Sequence, residues 1–296
     1  MPTNEVTGET LFVRDTRRDV AVVRPIEYAD NVPTIPSNTE SLLSVILICC
    51  EQFHVTHIRH YGVYAKRFSS VHPWSSMRTF VTAASSNHFK SLCQLLTTIQ
   101  HETAIVYDLG LTHSEVNHIR SVFRIDYRVF PFSNYPSFVS MSSPDAGAYA
   151  WKPILIAEVY AEIQGVLIWC DAGNKVFDAD ALEYCVTNAG VYTPTSSGTI
   201  SSWTHPTALN ELSVPVAWSS FQMRNAACVG FNKDDRSSKF VAEWKKYALL
   251  KNAILPDGAN RSNHRHDQSI LTVLYYRHCI TSCDDYVGVS IHNDIG

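Results

Sequence analysis

From Arg78 onward the chain alternates between two patterns of apolar positions, and the switch repeats. Thr79-Phe-Val-Thr-Ala-Ala84 is a short run that fits a buried strand. Ser85 and Ser86 can cap a helix start, and Phe89, Leu92, Cys93, Leu96 and Ile99 then fall on one helical face. The next unit has the same form. Ala104–Tyr107 reads as a strand and Asp108–Gly110 as a turn. Thr112 and Glu115 have capping-box spacing, and Val116, Ile119 and Phe123 make the helix face. Arg128–Phe132 is a third predicted strand. A helix over Trp151–Ile163 leads to a fourth strand, Gly165–Cys170, which ends at Asp171.

Strands and helices in this rhythm predict an α/β fold, a mostly parallel sheet flanked by helices on both faces. Ligands of such sheets bind beyond the carboxyl ends of the strands. The polar residues just past those ends, Ser85 to His88, Asp108 and Asp171, are therefore the first candidates for a site. The second half is less regular. Thr193–Thr207 reads as a long Ser/Thr/Gly loop and Phe221–Asn232 as one strand, with helices over Ser237–Leu250 and Asp267–Tyr276. Residues 1–76 show no such rhythm beyond a short helix expected at Ser41–Val55. They are read as an N-terminal extension packed on a core domain of residues 77–296.

Composition narrows the function classes. The 296 residues are 45% hydrophobic and 18% charged, with a formal net charge of −4 and no basic block, so no nucleic-acid partner is expected. The most apolar run, Leu42–Cys50, is far shorter than the ~20 residues of a membrane span. The polar first residues do not read as a signal peptide. The eight cysteines form no C-x-x-C pair, and several lie in apolar runs as small buried hydrophobes. These features lead to the expectation of a soluble cytoplasmic protein. No Gly-rich phosphate loop is present, which removes the carrier residues of an NAD or P-loop site.

Four segments remain as candidate chemistry: Ala83-Ala-Ser-Ser-Asn-His88, Ala148-Tyr-Ala-Trp-Lys-Pro153, Leu167-Ile-Trp-Cys-Asp-Ala-Gly-Asn174, and Arg224–Phe231 paired with His266–Leu271. In order and spacing they resemble the GT-A nucleotide-sugar glycosyltransferases, in particular the retaining galactosyltransferase and glycogenin group. The phrases YDLGL, GAYAWKP and W-x-DAG also resemble an uncharacterised eukaryotic family near these enzymes. The resemblance covers roughly residues 77–280.

The resemblance implies a Rossmann-like GT-A domain that transfers a sugar from a UDP- or GDP-sugar to a glycan, protein or small-molecule acceptor. Ala83, Ser85, Ser86, Asn87 and His88 would line the base and ribose, with Asp108 at the neighbouring strand end. Lys152, beside Trp151, would approach the diphosphate or the acidic strand end. Asp171 would be the first acid of a motif that holds Mn²⁺ or Mg²⁺. Asn225 and Ala226 would contact the donor sugar, Asp267 would bind its hydroxyls, and Gln268 would sit under the anomeric carbon. Without an obvious base, the anomeric configuration would be retained.

The sequence departs from the group's pattern in three places. Gly173 replaces the second acid of the metal motif, so a cation would be held more weakly. A Ser-Ser pair replaces the group's Asp pair at the base. The group's C-terminal His-x-x-Gly-x-x-Lys segment is absent, with His292 the only late substitute. Two rivals stay open: a sugar-nucleotide or glycan binder without turnover, and a nucleotidyltransferase on a similar sheet.

Overall fold

The computed structural model describes residues 78–283 and 285–291. The expected extension over 1–76, its helix at Ser41–Val55 and His292 lie outside the described residues.

The central sheet has the predicted alternation. Strand β1 (Arg78–Ala84) leads to helix α1 (Phe89–Thr98), β2 (Thr103–Asp108) to α2 (His113–Val122), and β3 (Asp126–Val129) is followed by α3 (Trp151–Glu162) and β4 (Val166–Cys170). β2 and β4 flank β1 in parallel, and β3 adds in parallel to β2. After the short β5 (Lys175–Val176) come α4 (Ala179–Ala189) and β6 (Val191–Tyr192). Two antiparallel pairings, made by β9 (Cys228–Phe231), complete the six-stranded order β3-β2-β1-β4-β9-β6.

The period-2 alternation of β1 divides the core between the two faces. Phe80 and Ala84 pack with Leu92, Leu95 and Leu96 of α1 and Leu182 of α4. Val81 and Ala83 face the opposite way, onto Ile154, Leu155 and Val159 of α3. That second layer also takes Phe240 and Trp244 from α7 (Asp235–Ala248) and Leu271 from α9 (Asp267–Arg277). Each buried Val, Leu, Ile or Phe side chain among these contributes about 1.5–3 kcal/mol. The capping box read at α2 is present: Thr112 Oγ1 accepts from the Glu115 amide, and Glu115 accepts from the Thr112 amide at 2.7 Å.

Three expectations are corrected. The third strand ends at Val129 rather than Phe132. Phe130 turns inward against Phe132 and Tyr135, with centroids 4.7 and 5.2 Å away, and a 3-10 turn over Phe132–Asn134 replaces the strand. The segment read as a loop over Thr193–Thr207 contains strand β7 (Thr195–Thr199), a short helix over Ile200–Trp203 capped by Thr199, and the start of a helix over Pro206–Glu211. Its hydroxyls make local hydrogen bonds instead of marking an apolar face. The run Phe221–Asn232 is two strands. β8 (Gln222–Arg224) pairs with β7, whereas β9 joins the main sheet. The break falls at Asn225, whose backbone amide donates to Pro194 O (2.7 Å) while its Oδ1 accepts from the Ala227 amide (2.7 Å). Among the described residues no helix is long and apolar enough to cross a membrane.

Where β9 meets α4 the packing depends on a missing side chain. A Cβ on Gly230 would lie 2.2 Å from Val186 Cγ2, and Val186 is fully buried with a β-branched side chain that cannot swing away. Gly230→Val is expected to destabilise the fold by about 1–3 kcal/mol through overpacking. Urea denaturation measures this; an unchanged midpoint would mean that α4 can move off the sheet.

Candidate functional site

The carboxyl ends of β1 and β4 open into a cleft of about 540 Å³. The four segments singled out in the sequence converge on it, although they are spread over 186 positions of chain (83 to 268). Ala83, Ser85, Asn87, His88, Trp151, Lys152, Asp171, Asn225, Ala226, Asp267 and Gln268 all line it.

Ser86 and Asp108 do not, because local structure claims both. Ser86 Oγ donates to Gly110 O (3.0 Å) and Glu115 Oε2 (2.6 Å). Asp108 Oδ1 accepts from the Gly110 and Leu111 amides, both at 2.7 Å, and its Oδ2 accepts from Tyr127 Oη at 2.6 Å. They shape the loops beside the cleft without facing it. Asn225 lines the cleft, but its side chain is also committed, with Oδ1 on the Ala227 amide and Nδ2 donating to Tyr286 Oη at 3.2 Å.

Lys152 is the centre of the site. It enters in the first turn of α3, where Pro153 is tolerated because amides there have no intrahelical acceptor. Its ammonium lies 3.0 Å from Asp171 Oδ1 and 3.1 Å from Asp267 Oδ2, and donates to Ala226 O at 3.3 Å. The rings of Trp169 and Tyr149 flank it at 5.5 and 5.7 Å. Burial alone would push the ammonium towards deprotonation. The two carboxylates, Asp171 first, outweigh that and hold Lys152 above its ordinary value. Burial raises the Asp267 carboxyl, opposed by Lys152 and reinforced by Asp171.

Two buried oxygens at this centre accept no hydrogen bond among the described residues, Asp267 Oδ2 and Asn174 Oδ1. The ammonium is close to Asp267 Oδ2 but is not aligned with it as a hydrogen bond. Asn174 is 1% exposed, and its amide nitrogen is spent on Ala227 O at 2.7 Å.

The residues present do not fit a resident divalent cation. Hard cations take six or more oxygen ligands, commonly with carboxylates among them. Here the one motif acid, Asp171, already accepts from Lys152 and from Trp169 Nε1 (2.7 Å) on the same oxygen. An ion at Asp171 would stand beside a fixed ammonium. No group of three His, Cys, Asp or Glu among the described residues could hold a metal.

Sequence reasoning singled out Ala148 and Tyr149 but missed the turn that leads into them. Asp145, Ala146, Gly147, Ala148 and Tyr149 all have positive φ, between 49° and 70°. Five consecutive left-handed residues are rare, because each non-glycine costs about 1–2 kcal/mol. Tertiary contacts hold the turn. A Cβ on Gly147 would meet Val139 O at 2.1 Å, Trp151 Nε1 donates to Ala146 O at 3.0 Å, and His266 Nε2 lies 3.0 Å from Asp145 Oδ2. The rim beyond it carries Arg261, His264 and Arg265, which lie outside the four candidate segments, and His266, which opens the last of them without having been given a role. Their signal is visible only in hindsight, as basic residues immediately before Asp267.

A family described as a protein of unknown function, DUF1647, matches residues 58–157. No curated protein matches the chain. Among solved structures the chain is similar to the mannosyltransferase Ktr4p from S. cerevisiae, with 7% identity and a TM-score of 0.43 over 68% of this chain and 65% of that one. It is similar to core-mannan synthase A from Aspergillus fumigatus in its Mn/GDP form, with 7% identity and a TM-score of 0.42 over 76% and 72% of the two chains. Mouse xyloside xylosyltransferase 1 gives 11% identity and a TM-score of 0.41 over 68% and 82%. These are distant likenesses to glycosyltransferases, and the chemistry of the cleft rests on this chain's own residues.

Two outcomes are expected from the electrostatics of the cleft. Lys152→Met leaves the Asp267 carboxylate buried without its cation and should cost about 3–5 kcal/mol, most of which Lys152→Met combined with Asp267→Asn should restore. Chemical denaturation of the parent, both single variants and the double variant measures the coupling; additive losses would show that the pair is not coupled. The second outcome concerns His264. Burial, then the neighbouring His266, lowers it to about 3. Its Nδ1 accepts from the His205 amide at 3.3 Å and its Nε2 faces Ala253 O at 3.2 Å, as the neutral ring requires. The unfolded chain takes up a proton near pH 6.5 that the folded ring refuses, so this stability is complete above pH 6.5 and is lost as pH falls towards 3. The slope is up to about 1.4 kcal/mol per pH unit. Against His264→Asn, the parent's stability should fall more steeply between pH 6.5 and 5; parallel curves would contradict the assignment.

Proposed function

We propose that the chain is a GT-A-type glycosyltransferase that moves a sugar from a UDP- or GDP-sugar to an acceptor hydroxyl. The observation that carries this reading is a strand-end cleft lined by two buried oxygens whose accepting capacity is unfilled, Asn174 Oδ1 and Asp267 Oδ2, the latter ion-paired with Lys152. A buried acceptor without a hydrogen bond, as at Asn174 Oδ1, costs about 1–3 kcal/mol, and a ligand rich in O–H donors removes that cost. A sugar is such a ligand. The Ala83–His88 segment, at the neighbouring strand end, supplies the surface for base and ribose.

In this reading Lys152 holds the two carboxylates in place, with Asp267 towards the sugar hydroxyls. The bond from the anomeric carbon to the phosphate oxygen breaks, and one to the acceptor oxygen forms. The acceptor proton passes to the departing phosphate. The state of Asp267 favours retention of configuration. A general base must reach the acceptor hydroxyl, and Asp267 is 4% exposed and tied to Lys152. Gln268, which donates to Ser196 Oγ at 3.2 Å, lines the cleft as a neutral amide and can orient the sugar but not accept its proton. The absence of a second motif acid at Gly173 favours one other reading, a binder of sugar nucleotides without turnover.

A thermal-shift screen of nucleotide sugars tests the proposal. A UDP- or GDP-sugar at 100 times its Kd should stabilise the protein by about 2.7 kcal/mol, with no effect of NAD or ATP. Stabilisation by NAD or ATP alone would overturn it. Slow hydrolysis of the stabilising donor separates an enzyme from a binder. Proton NMR of the first-formed product reads the anomeric configuration, and an inverted linkage would transfer the base role to Asp267.

A further inference from the structure

The metal misfit leaves the donor's diphosphate without a counter-charge, and Lys152 cannot supply one. Its ammonium is buried and already shared by two carboxylates, so with both ionised the triad is itself anionic. The guanidinium groups that line the cleft belong to Arg261 and Arg265.

We infer that Arg261 and Arg265 form a fixed guanidinium clamp that binds the donor's diphosphate in place of a divalent cation. The inference rests on the sugar-nucleotide reading and names the part of the site that takes the charge. Both groups lie against aromatic rings. The Arg265 guanidinium carbon sits 4.0 Å from the Trp203 ring centroid, and that of Arg261 sits 5.6 Å from the Tyr149 ring centroid. Contact with a ring restricts a guanidinium, while its remaining N–H groups can make bidentate contacts with phosphate oxygens. Neither arginine has a carboxylate partner among the described residues. By contrast, Arg78 is paired with Glu102, Asp180 and Glu183, and Arg128 with Asp126 and Glu162.

The backbone under the clamp is rigid. The Arg265 amide donates to Trp203 O and Ser269 Oγ, both at 3.0 Å. The turn carrying Arg261 is tied by Asn263 Oδ1 on the Asn260 amide (2.8 Å) and by Asn260 Oδ1 on the Ser262 amide (2.9 Å). Arg261 also donates to Tyr149 Oη, which links the clamp to the ring over Lys152. Pre-positioned donors of this kind spend little reorganisation on an anion as its charge develops.

The test is calorimetric binding of UDP, GDP and inorganic pyrophosphate to the full chain in EDTA, and again with Mn²⁺, with uridine and guanosine as charge-free controls. The parent should bind at least one of the nucleoside diphosphates in EDTA, and Mn²⁺ should change its affinity by less than about twofold. Arg261→Gln and Arg265→Gln should each weaken diphosphate and pyrophosphate binding by roughly 10- to 100-fold. Nucleoside affinity and the thermal midpoint should stay at parental values. Diphosphate binding that requires Mn²⁺, or that survives both substitutions, would overturn the clamp while leaving the sugar-nucleotide reading intact. Failure of every nucleoside diphosphate to bind the parent, with or without Mn²⁺, would overturn both.

Discussion

A buried ammonium between two carboxylates is the constraint on which the site depends. Taking Lys152 and Asp267 out of water costs several kcal/mol per ion, and their attraction repays this only if the geometry is held. Three elements must therefore meet within hydrogen-bonding distance: the first turn of α3, the end of β4 and the start of α9. The apolar layer between them supplies the force. Ile154 and Leu155 seat α3 on the sheet, and Trp244 packs in the same layer while donating to the Asp267 carbonyl at 3.0 Å. The ion triad adds little net stability of its own, but it sets where those elements must stop.

The strand break at Asn225 serves the same centre. Continuous pairing from Gln222 to Phe231 would keep the backbone in one ladder. The break lets β8 leave for the small sheet with β7 and turns Ala226 O towards Lys152. Asn225 makes the break possible by satisfying its own displaced backbone, a local role that accounts for its burial without any ligand. Ser86 and Asp108 are similar cases, polar residues at the right strand ends whose hydrogen bonds are consumed in holding loops.

Much of this architecture was legible in the sequence because it is written in short-range patterns. The run Thr79–Ala84, the helical spacing after it and the Thr112–Glu115 box each depend on neighbours within a few positions. The motif residues Lys152, Asp171, Asp267 and Gln268 were legible from their order along the chain. The illegible parts were set by contacts between distant segments. Arg261 and Arg265 look like ordinary solvated residues until Tyr149 and Trp203 are brought under them. β7 hid in a Ser/Thr-rich stretch because its strand carries hydroxyls and lies at the surface. The single strand expected over Phe221–Asn232 failed for the same reason, since the partner that claims β8 lies more than twenty residues upstream.

The left-handed turn Asp145–Tyr149 has a consequence for what holds the cleft in shape. With Gly147 its one glycine, it cannot persist in an isolated stretch of chain, because nothing local offsets its conformational cost. Its contacts with Val139, Trp151 and His266 do, and the last of these lies 121 residues from Asp145. The turn therefore depends on the loop before α9 being docked beside it. By the same logic, losing the His266 contact would weaken the turn, and with it the placement of Tyr149 over Lys152, without touching the two apolar layers. The stability of this wall of the cleft is thus set by distant contacts rather than by the chain around it.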